Sequence, residues 1–332
     1  MRVSPIAFLK YAFFLLLGLA ITYYLFKTQY HSNFIADLGK ADKDWILLTA
    51  ITGLIPHFFR ALRWKLLLQP IQKKPTSTLN AFNAIMIGYL ANLALPRAGE
   101  LLRCAWLSKK EEISTISLIG TVITERIIDL LVLVIMVLIG LGLYFEIILH
   151  FIKGIDFKTL ILAKLYLAVA LIIFLMMMAF VVFKIFTSQN KMAVKIKGFL
   201  MQLKEGLLSL KRIKSPYLFV FYTIAIWFFY ILSSYCGFKM MNQTAMLNFS
   251  DALLTVIAGS FGMIAPIQGG IGAFHFMVSQ CLVFLNINAG AALVYATILH
   301  AIQTLVVIVF GTLALVIGVA YQPHKKLNGT KP

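Results

Sequence analysis

Long apolar runs separated by short polar segments dominate the chain. Such runs predict α-helices that cross a lipid bilayer, because about 20 mainly apolar residues span its hydrocarbon core. The uninterrupted runs lie at about residues 12–26, 45–59, 130–145, 160–183, 218–238 and 289–320. We therefore expect an all-α fold, a polytopic membrane bundle of about six full spans with two further broken helical segments.

Two apolar runs are broken by polar and helix-terminating residues. The first, residues 79–95, contains Asn80, Asn83, Gly88 and Asn92 and leads into Pro96-Arg97-Ala98-Gly99. The second, residues 249–283, is interrupted by Pro266-Ile267-Gln268-Gly269-Gly270-Ile271-Gly272. Basic residues flank the first run on both sides: Arg60, Arg63, Lys65, Lys73 and Lys74 in a predicted cytoplasmic loop before it, and Lys109 and Lys110 after it. This charge pattern predicts that the run enters and leaves the membrane on the same face. Irregular backbone at membrane depth occurs only where protein or a water-filled cavity surrounds it, so these segments are candidates for a substrate path.

The two broken segments suggest an internal repeat. A shift of 170 residues places Pro96-Arg97-Ala98-Gly99 on Pro266-Ile267-Gln268-Gly269, and a shift of 174 places Arg126 and Asp129 on His300 and Gln303. Because the first segment is predicted to enter from the cytoplasm and the second from outside, the halves would be inverted copies. We expect one transmembrane domain over residues 1–332, with repeat one at about 10–145 and repeat two at about 160–320. Coincidence of short motifs is the alternative, although inverted repeats are typical of secondary transporters.

Composition and charge support a membrane protein. Of 332 residues, 61% are hydrophobic and only 13% are charged, which excludes an ordinary water-soluble core. The net charge of +18 comes largely from short loops between apolar runs, so it indicates topology and not nucleic-acid binding. The loop charges place the chain in the cytoplasmic membrane with both termini in the cytoplasm. The three cysteines lack C-x-x-C spacing, and the sequence predicts no metal site and no cofactor.

A basic segment at about residues 184–215 connects the predicted repeats. Its lysines and Arg212 alternate with apolar residues, which favours an amphipathic helix lying on an anionic membrane surface. An ordinary cytoplasmic connector is the alternative.

Charged residues inside membrane segments cost about 2.5 to 3.5 kcal/mol each, so they mark candidate functional sites. Arginines could bind a phosphate while acids orient them or accept protons, or the groups could form internal ion pairs. Glycines could bring backbone N–H groups to a ligand or permit close helix packing. A histidine could titrate or bond a headgroup, or simply pack. The candidate substrate-binding residues are Arg97, Glu100, Arg103, Glu125, Arg126, Asp129, Gly269, Gly270 and His275.

The chain contains no H-E-x-x-H, G-x-S-x-G or Walker motif. Asp42-Lys43-Asp44 matches the D-x-D pattern of metal-dependent glycosyltransferases, but the predicted topology places it in an outer loop, away from nucleotide sugars.

Four short motifs, in this order along the chain, resemble those of a known protein family. They are Arg60-Ala61-Leu62-Arg63-Trp64, Asn92-Leu93-Ala94-Leu95-Pro96-Arg97-Ala98-Gly99-Glu100 followed by Arg103, Glu125-Arg126-Ile127-Ile128-Asp129, and Pro266-Ile267-Gln268-Gly269-Gly270-Ile271-Gly272-Ala273. Over about residues 10–320 the chain resembles the flippase-like family that shares the transmembrane region of lysylphosphatidylglycerol synthases. The resemblance implies a lipid-translocating membrane domain. Where that family often has an acidic residue after the last glycines, this chain has Phe274-His275.

The leading hypothesis is a flippase for a phospholipid or a lipid-linked headgroup, which would pass between the repeats. Because twelve residues follow Ala320, we expect no soluble aminoacyl transferase domain and no enzyme activity. The alternatives are a membrane-embedded glycosyl- or phospholipid-modifying transferase and a noncatalytic membrane partner of a separate enzyme. The lipid, the direction of movement, the energy coupling and the oligomeric state stay open.

Overall fold

The computed structural model describes residues 5–29, 34–95, 97–145 and 213–320. These residues form ten α-helices and one short 3-10 helix at Gln268–Gly270, with no β-strand among them. The α-helices are α1 (Pro5–Gln29), α2 (Phe34–Gly39), α3 (Lys43–Leu68), α4 (Thr78–Ala94), α5 (Ala98–Glu111), α6 (Thr115–Leu143), α7 (Pro216–Phe238), α8 (Phe249–Ile264), α9 (Ala273–Phe284) and α10 (Ala289–Ala320). The predicted all-α fold is confirmed.

The chain divides into two compact units. One comprises residues 1–119 together with 213–332, and the other comprises residues 120–212. Of the second unit the structure describes residues 120–145, which form the greater part of α6. The contacts described below lie within the first unit.

Helices α3 and α7 form an antiparallel pair at the centre of the first unit. At one end, the Asp42 backbone N–H before α3 donates to the Met240 carbonyl after α7, at 3.0 Å. At the other end, Arg63 Nη1 of α3 donates to Thr223 Oγ1 of α7, at 3.4 Å. Each end of the pair therefore brings together the start of one helix and the end of the other.

Helix α3 extends beyond the predicted span of residues 45–59. It continues through Pro56 to Leu68, so that Arg60 and Arg63 lie inside the helix and are buried, not in a loop. Aromatic faces of α7 accommodate both cations, because Arg60 lies over the Tyr230 ring and Arg63 over the Phe219 ring.

Helices α4 and α5 fold into a hairpin. Its open end is fastened by Glu111, whose Oε1 accepts hydrogen bonds from the Ser77 backbone N–H at 3.3 Å and from Asn80 Nδ2 at 2.7 Å. The start of α4 and the end of α5 therefore lie side by side, as the predicted return of this segment to one membrane face requires.

Helices α8 and α9 form a second hairpin through the 3-10 helix. A methyl group on Gly262 of α8 would lie 2.7 Å from the Phe274 Cα of α9. The backbones of the two helices are therefore almost in contact at this point. Asn248 and Asp251 form a capping box that fixes the start of α8. The segment at residues 249–283 is therefore a helical hairpin, as the interruption at Pro266 predicts.

The long helix α10 packs against both hairpins. Near its start it supplies fully buried residues, including Tyr295, to an apolar core shared with α7 and α9. Nearer its end, Gly311 lies against Leu90 and the Met86 carbonyl of α4. Gly318 lies against Trp106 of α5. Helix α10 therefore fixes the two hairpins within one body.

The hairpins enter the bundle from opposite ends. The first hairpin follows the end of α3 and the second follows the end of α7, and these two helix ends lie at opposite ends of the antiparallel pair. Both hairpins return to the end from which they start. The inverted relation that the sequence predicts is therefore present in these segments, while the outer bounds of the two repeats stay a prediction.

The helices are those of a multi-pass membrane protein. Among the described residues, four are long and apolar enough to cross a bilayer: Lys43–Leu68, Thr115–Leu143, Pro216–Phe238 and Ala289–Gly318. The predicted span at residues 160–183 and almost all of the basic connector at 184–215 lie outside the described residues.

Candidate functional site

The closed ends, or tips, of the two hairpins meet inside the first unit. Arg97, in the first tip, donates a hydrogen bond from Nη2 to the carbonyl of Ile264, at the end of α8, over 3.1 Å. The side chain of Leu93 lies 3.2 Å from the position that a methyl group on Gly269 would occupy. The two Pro-x-x-Gly elements, 170 residues apart in the sequence, therefore lie together.

The first tip is short and tightly packed. The N–H of Gly99 donates to Asn92 Oδ1 at 2.8 Å, which satisfies one of the free donors at the start of α5. Gly88 and Gly99 bring the backbones of α4 and α5 into contact, since a methyl group on Gly99 would overlap the Gly88 carbonyl oxygen. Small residues at this crossing therefore set the separation of the two helices.

Arg97 adopts a left-handed backbone conformation, with φ 63° and ψ 4°. A residue with a Cβ pays about 1 to 2 kcal/mol to adopt this conformation, whereas glycine adopts it freely. The backbone conformation at position 97 therefore favours glycine, yet the chain has an arginine there.

The second tip depends on glycine. Gly269, Gly270 and Gly272 all have positive φ angles, of 58°, 75° and 82°. A side chain on Gly272 would also overlap the Gly18 carbonyl oxygen of α1. Helix α1 therefore packs directly on the backbone of this tip.

Two histidines bind the backbone of the second tip. His300 of α10 contacts the Gly269 carbonyl through Nε2 at 2.8 Å, and His275 of α9 accepts a hydrogen bond on Nδ1 from the Gly272 N–H at 3.3 Å. The two imidazole centroids are 4.7 Å apart, and the Phe274 ring stacks on His300 at 5.1 Å. The histidine pair therefore holds the tip at both ends of its glycine-rich stretch.

The Arg97 side chain is exposed where the tips meet. Its hydrogen bond to Ile264 is the only one that it makes to a described residue, so its other N–H groups are open to a ligand. Exposed apolar side chains flank it: Leu95 in its own tip, and Met263 and Ile264 at the end of α8. The junction of the tips therefore combines an exposed cation with an apolar border.

The other two predicted residues of the first segment lie on α5. Arg103 is buried, and its guanidinium lies 4.7 Å from the centre of the Trp64 ring of α3. Glu100 is half-buried on α5. The substrate-binding role predicted for these two residues stays a prediction, and the packing of Arg103 between α5 and α3 is structural.

The predicted cluster on α6 belongs to the second compact unit. Glu125 and Asp129, which share a helix face at a spacing of four residues, are both buried, while Arg126 is exposed. Their role in binding stays a prediction.

Asp42 begins α3 as its N-cap, accepting from the backbone N–H groups of Asp44 and Trp45. Among the described residues, no group of three or more metal-ligating side chains comes together.

Sequence reasoning missed two residues whose side chains bind the backbone of the tips. His300 appeared only as a member of a spaced pair with Gln303, although that spacing was the signal that marked its position. Asn92 appeared only as a polar interruption of an apolar run, and an amide seven residues before Gly99 could not be assigned as its hydrogen-bond acceptor without the hairpin.

Comparison with known proteins agrees with the resemblance seen in the sequence. Residues 8–311 match the family described as Lysylphosphatidylglycerol synthase TM region. No curated protein and no solved structure matches the chain. The family match spans both hairpins and most of α10, and the chain belongs to the family of the lysylphosphatidylglycerol synthase transmembrane region.

Proposed function

We propose that this protein moves a phospholipid or a lipid-linked headgroup across the cytoplasmic membrane. The headgroup passes between the tips of the two hairpins while the acyl chains stay in the bilayer. Both termini lie in the cytoplasm, as the positive loop charges indicate. The family to which the chain belongs and the geometry of the hairpins support this proposal.

The two hairpins supply a barrier that can open towards either face. They enter from opposite ends of the α3–α7 pair, and the Arg97–Ile264 hydrogen bond joins their tips. Paired broken helices that enter a bundle from opposite sides surround the substrate site in many secondary transporters. Separation of the tips would open a path between the two halves of the bundle.

Arg97 supplies the chemistry for an anionic headgroup. Its planar guanidinium can form paired hydrogen bonds with a phosphate, which makes arginine suited to this anion. An exposed arginine on a membrane-embedded hairpin needs water or a counter-anion, because its charge is costly against lipid tails. The exposed Leu95, Met263 and Ile264 offer apolar contact beside it. The observation that most directly supports the proposal is the exposed Arg97 guanidinium at the junction of the two tips.

The backbone of Arg97 allows its structural and functional roles to be separated. Replacement by glycine relieves the left-handed conformation, so we expect Arg97→Gly to fold at least as stably as the wild type. The same replacement removes the guanidinium. Glu112 offers a matched control, since it is also exposed and left-handed, with φ 53°, but it lies at the open end of the first hairpin.

The experiment uses vesicles of phosphatidylcholine that contain a fluorescent phosphatidylglycerol. Accessibility of the label to a membrane-impermeant quencher measures movement between leaflets. We expect Arg97→Gly to slow movement about tenfold or more, from loss of charge-assisted hydrogen bonds, Arg97→Lys to be intermediate, and Glu112→Gly to match the wild type.

Equal rates for the wild type and Arg97→Gly would remove Arg97 from the proposed path. A wild-type rate equal to that of protein-free vesicles, with neutral and glycosylated lipids tested as well, would refute lipid movement. Chromatography of the recovered lipid distinguishes a flippase from the alternative, a lipid-modifying transferase, because only the transferase would leave a chemically modified lipid.

A further inference from the structure

We infer that His300, supported by His275, is a proton-binding site that controls the second hairpin tip. This inference rests on the proposed function where it concerns lipid movement, but its structural part can be tested without transport. Both histidines bond to the glycine-rich backbone between Gly269 and Gly272, which lies against the first tip through Leu93. A change at the pair therefore acts directly on the place where the tips meet.

The hydrogen bonds assign a protonation pattern to the neutral pair. Nδ1 of His275 accepts from the Gly272 N–H, so the proton of a neutral His275 is on Nε2. Nε2 of His300 faces a carbonyl oxygen, which can only accept, so Nε2 carries the proton of a neutral His300. The free position for an added proton is therefore Nδ1 of His300.

An added proton suits His300 and not His275. On His300 it leaves the Nε2–H bond to Gly269 in place and makes it charge-assisted, which strengthens it. On His275 it would occupy the nitrogen that accepts from Gly272 and abolish that bond. His300 is also half-buried whereas His275 is buried. The rings are only 4.7 Å apart, and mutual repulsion limits the pair to one added proton.

An aromatic ring and several titratable groups surround the pair. Phe274 stacks on His300 and offers a ring face to an imidazolium. Titratable or charged groups on the elements packed around them include Tyr24 and Lys27 of α1, Asp37 of α2, His57, Arg60 and Arg63 of α3, Tyr89 of α4, Arg97 of the first tip, Tyr230 of α7, Asp251 of α8, Cys281 of α9 and Tyr295 of α10.

The consequence is a tip whose conformation depends on pH. With a proton on His300, the charge-assisted bond holds the Gly269 carbonyl and favours the conformation in which the two tips touch. Without it, a neutral bond restrains three glycines that can readily adopt other backbone angles. Doubling the strength of one hydrogen bond shifts such an equilibrium by roughly fivefold. Lipid movement would then be coupled to proton binding and release.

A thiol accessibility experiment tests the tip directly. In a variant whose three native cysteines are replaced by serine, a single cysteine at Ile271, which is exposed in the tip, is labelled with a maleimide from about pH 5 to about pH 8. The rate is divided by that of a second variant with its cysteine at the exposed Met246, because thiolate formation itself depends on pH.

We expect this ratio to rise roughly fivefold with pH in the wild-type background. His300→Gln keeps a donor for Gly269 but cannot titrate, so its ratio should stay flat. His57→Gln is the matched control, because it removes a buried histidine that packs between Tyr89 and Tyr230, and its ratio should follow the wild type. A flat wild-type ratio, or a full pH response in His300→Gln, would overturn the inference.

The vesicle assay then separates the two proposals. Lipid movement that depends on pH in the wild type and in His57→Gln, but not in His300→Gln, supports both. Lipid movement that is identical in all three at every pH supports the flippase and overturns the proton coupling. A titrating tip in a protein that moves no tested lipid overturns the proposed function while the proton site stands.

Discussion

The crossing of α4 and α5 at Gly88 and Gly99 gives a sharp prediction for the substitution Gly99→Ala. The added methyl group would overlap the Gly88 carbonyl oxygen and lie 2.7 Å from Asn92 Oδ1. The first of these atoms belongs to the backbone, so no flexible side chain can move aside, and the helices must separate. Overpacking of this kind costs about 1 to 3 kcal/mol. Weakening of the Asn92–Gly99 hydrogen bond adds about 1 kcal/mol.

Helix propensity acts in the opposite direction, because alanine in place of glycine stabilises a helix by about 0.5 to 1 kcal/mol. The net expectation for Gly99→Ala is a loss of about 1 to 3 kcal/mol. Gly120→Ala is the matched control, since no described atom lies within 4 Å of its added methyl group. It should gain about 0.5 to 1 kcal/mol.

The free energy of unfolding can be compared in mixed micelles with increasing sodium dodecyl sulfate, with tryptophan fluorescence as the signal from the four tryptophans. The two variants should differ by about 1.5 to 4 kcal/mol. If Gly99→Ala is as stable as Gly120→Ala, the close backbone contact between the arms of the first hairpin does not exist, and the position of Arg97 loses its support.

The same unfolding measurement checks three further substitutions. Asn92→Ala removes the acceptor for the Gly99 N–H and should cost about 1 kcal/mol; no change would mean that water replaces the amide. Tyr295→Phe removes a buried hydroxyl that donates to the Ser234 carbonyl at 2.9 Å, and should cost about 1 to 3 kcal/mol; an unchanged stability would contradict this bond. Gly262→Ala places a methyl group 2.7 Å from the α9 backbone and should cost about 1 to 3 kcal/mol, whereas a gain would show that the second hairpin is loosely packed.

The helices themselves were predictable because their signal is local. The last apolar run was predicted at residues 289–320 and forms α10 over those residues. The interruption at Pro266 and the glycines after it predicted a break, and the helix ends at Ile264. Hydrophobic length and helix-terminating residues determine these features within one segment of chain.

The end of α3 shows where local reasoning fails. Arg60 and Arg63 indicate a cytoplasmic loop on charge alone, yet both are buried inside the helix. Tyr230 and Phe219, which accommodate them, lie about 160 to 170 residues further along the chain. Contacts with these aromatic rings allow both arginines to be buried inside the helix, although their charge alone favours an exposed loop.

The site was predictable only in part for the same reason. Arg97 and Gly269 were predictable as candidates, because a charge and a glycine cluster are unusual inside membrane segments. Their meeting depends on the packing of two hairpins from different halves of the chain. The bond of His300 to Gly269 joins α10 to the second tip across 31 positions, and no periodicity or motif indicates it.

The two tips differ in a way that assigns them different mechanical roles. The first is fastened by a backbone contact between its arms at Gly88 and Gly99 and by the Asn92 amide. The second is longer, running from Ala265 to Gly272 between its helices, and three of its residues are glycines with positive φ. Glycine lowers the energy of alternative backbone conformations, so the second tip can move at lower cost than the first. In the proposed mechanism, the first tip would be the fixed carrier of Arg97, and the second would be the moving side of the barrier, held by the histidine pair.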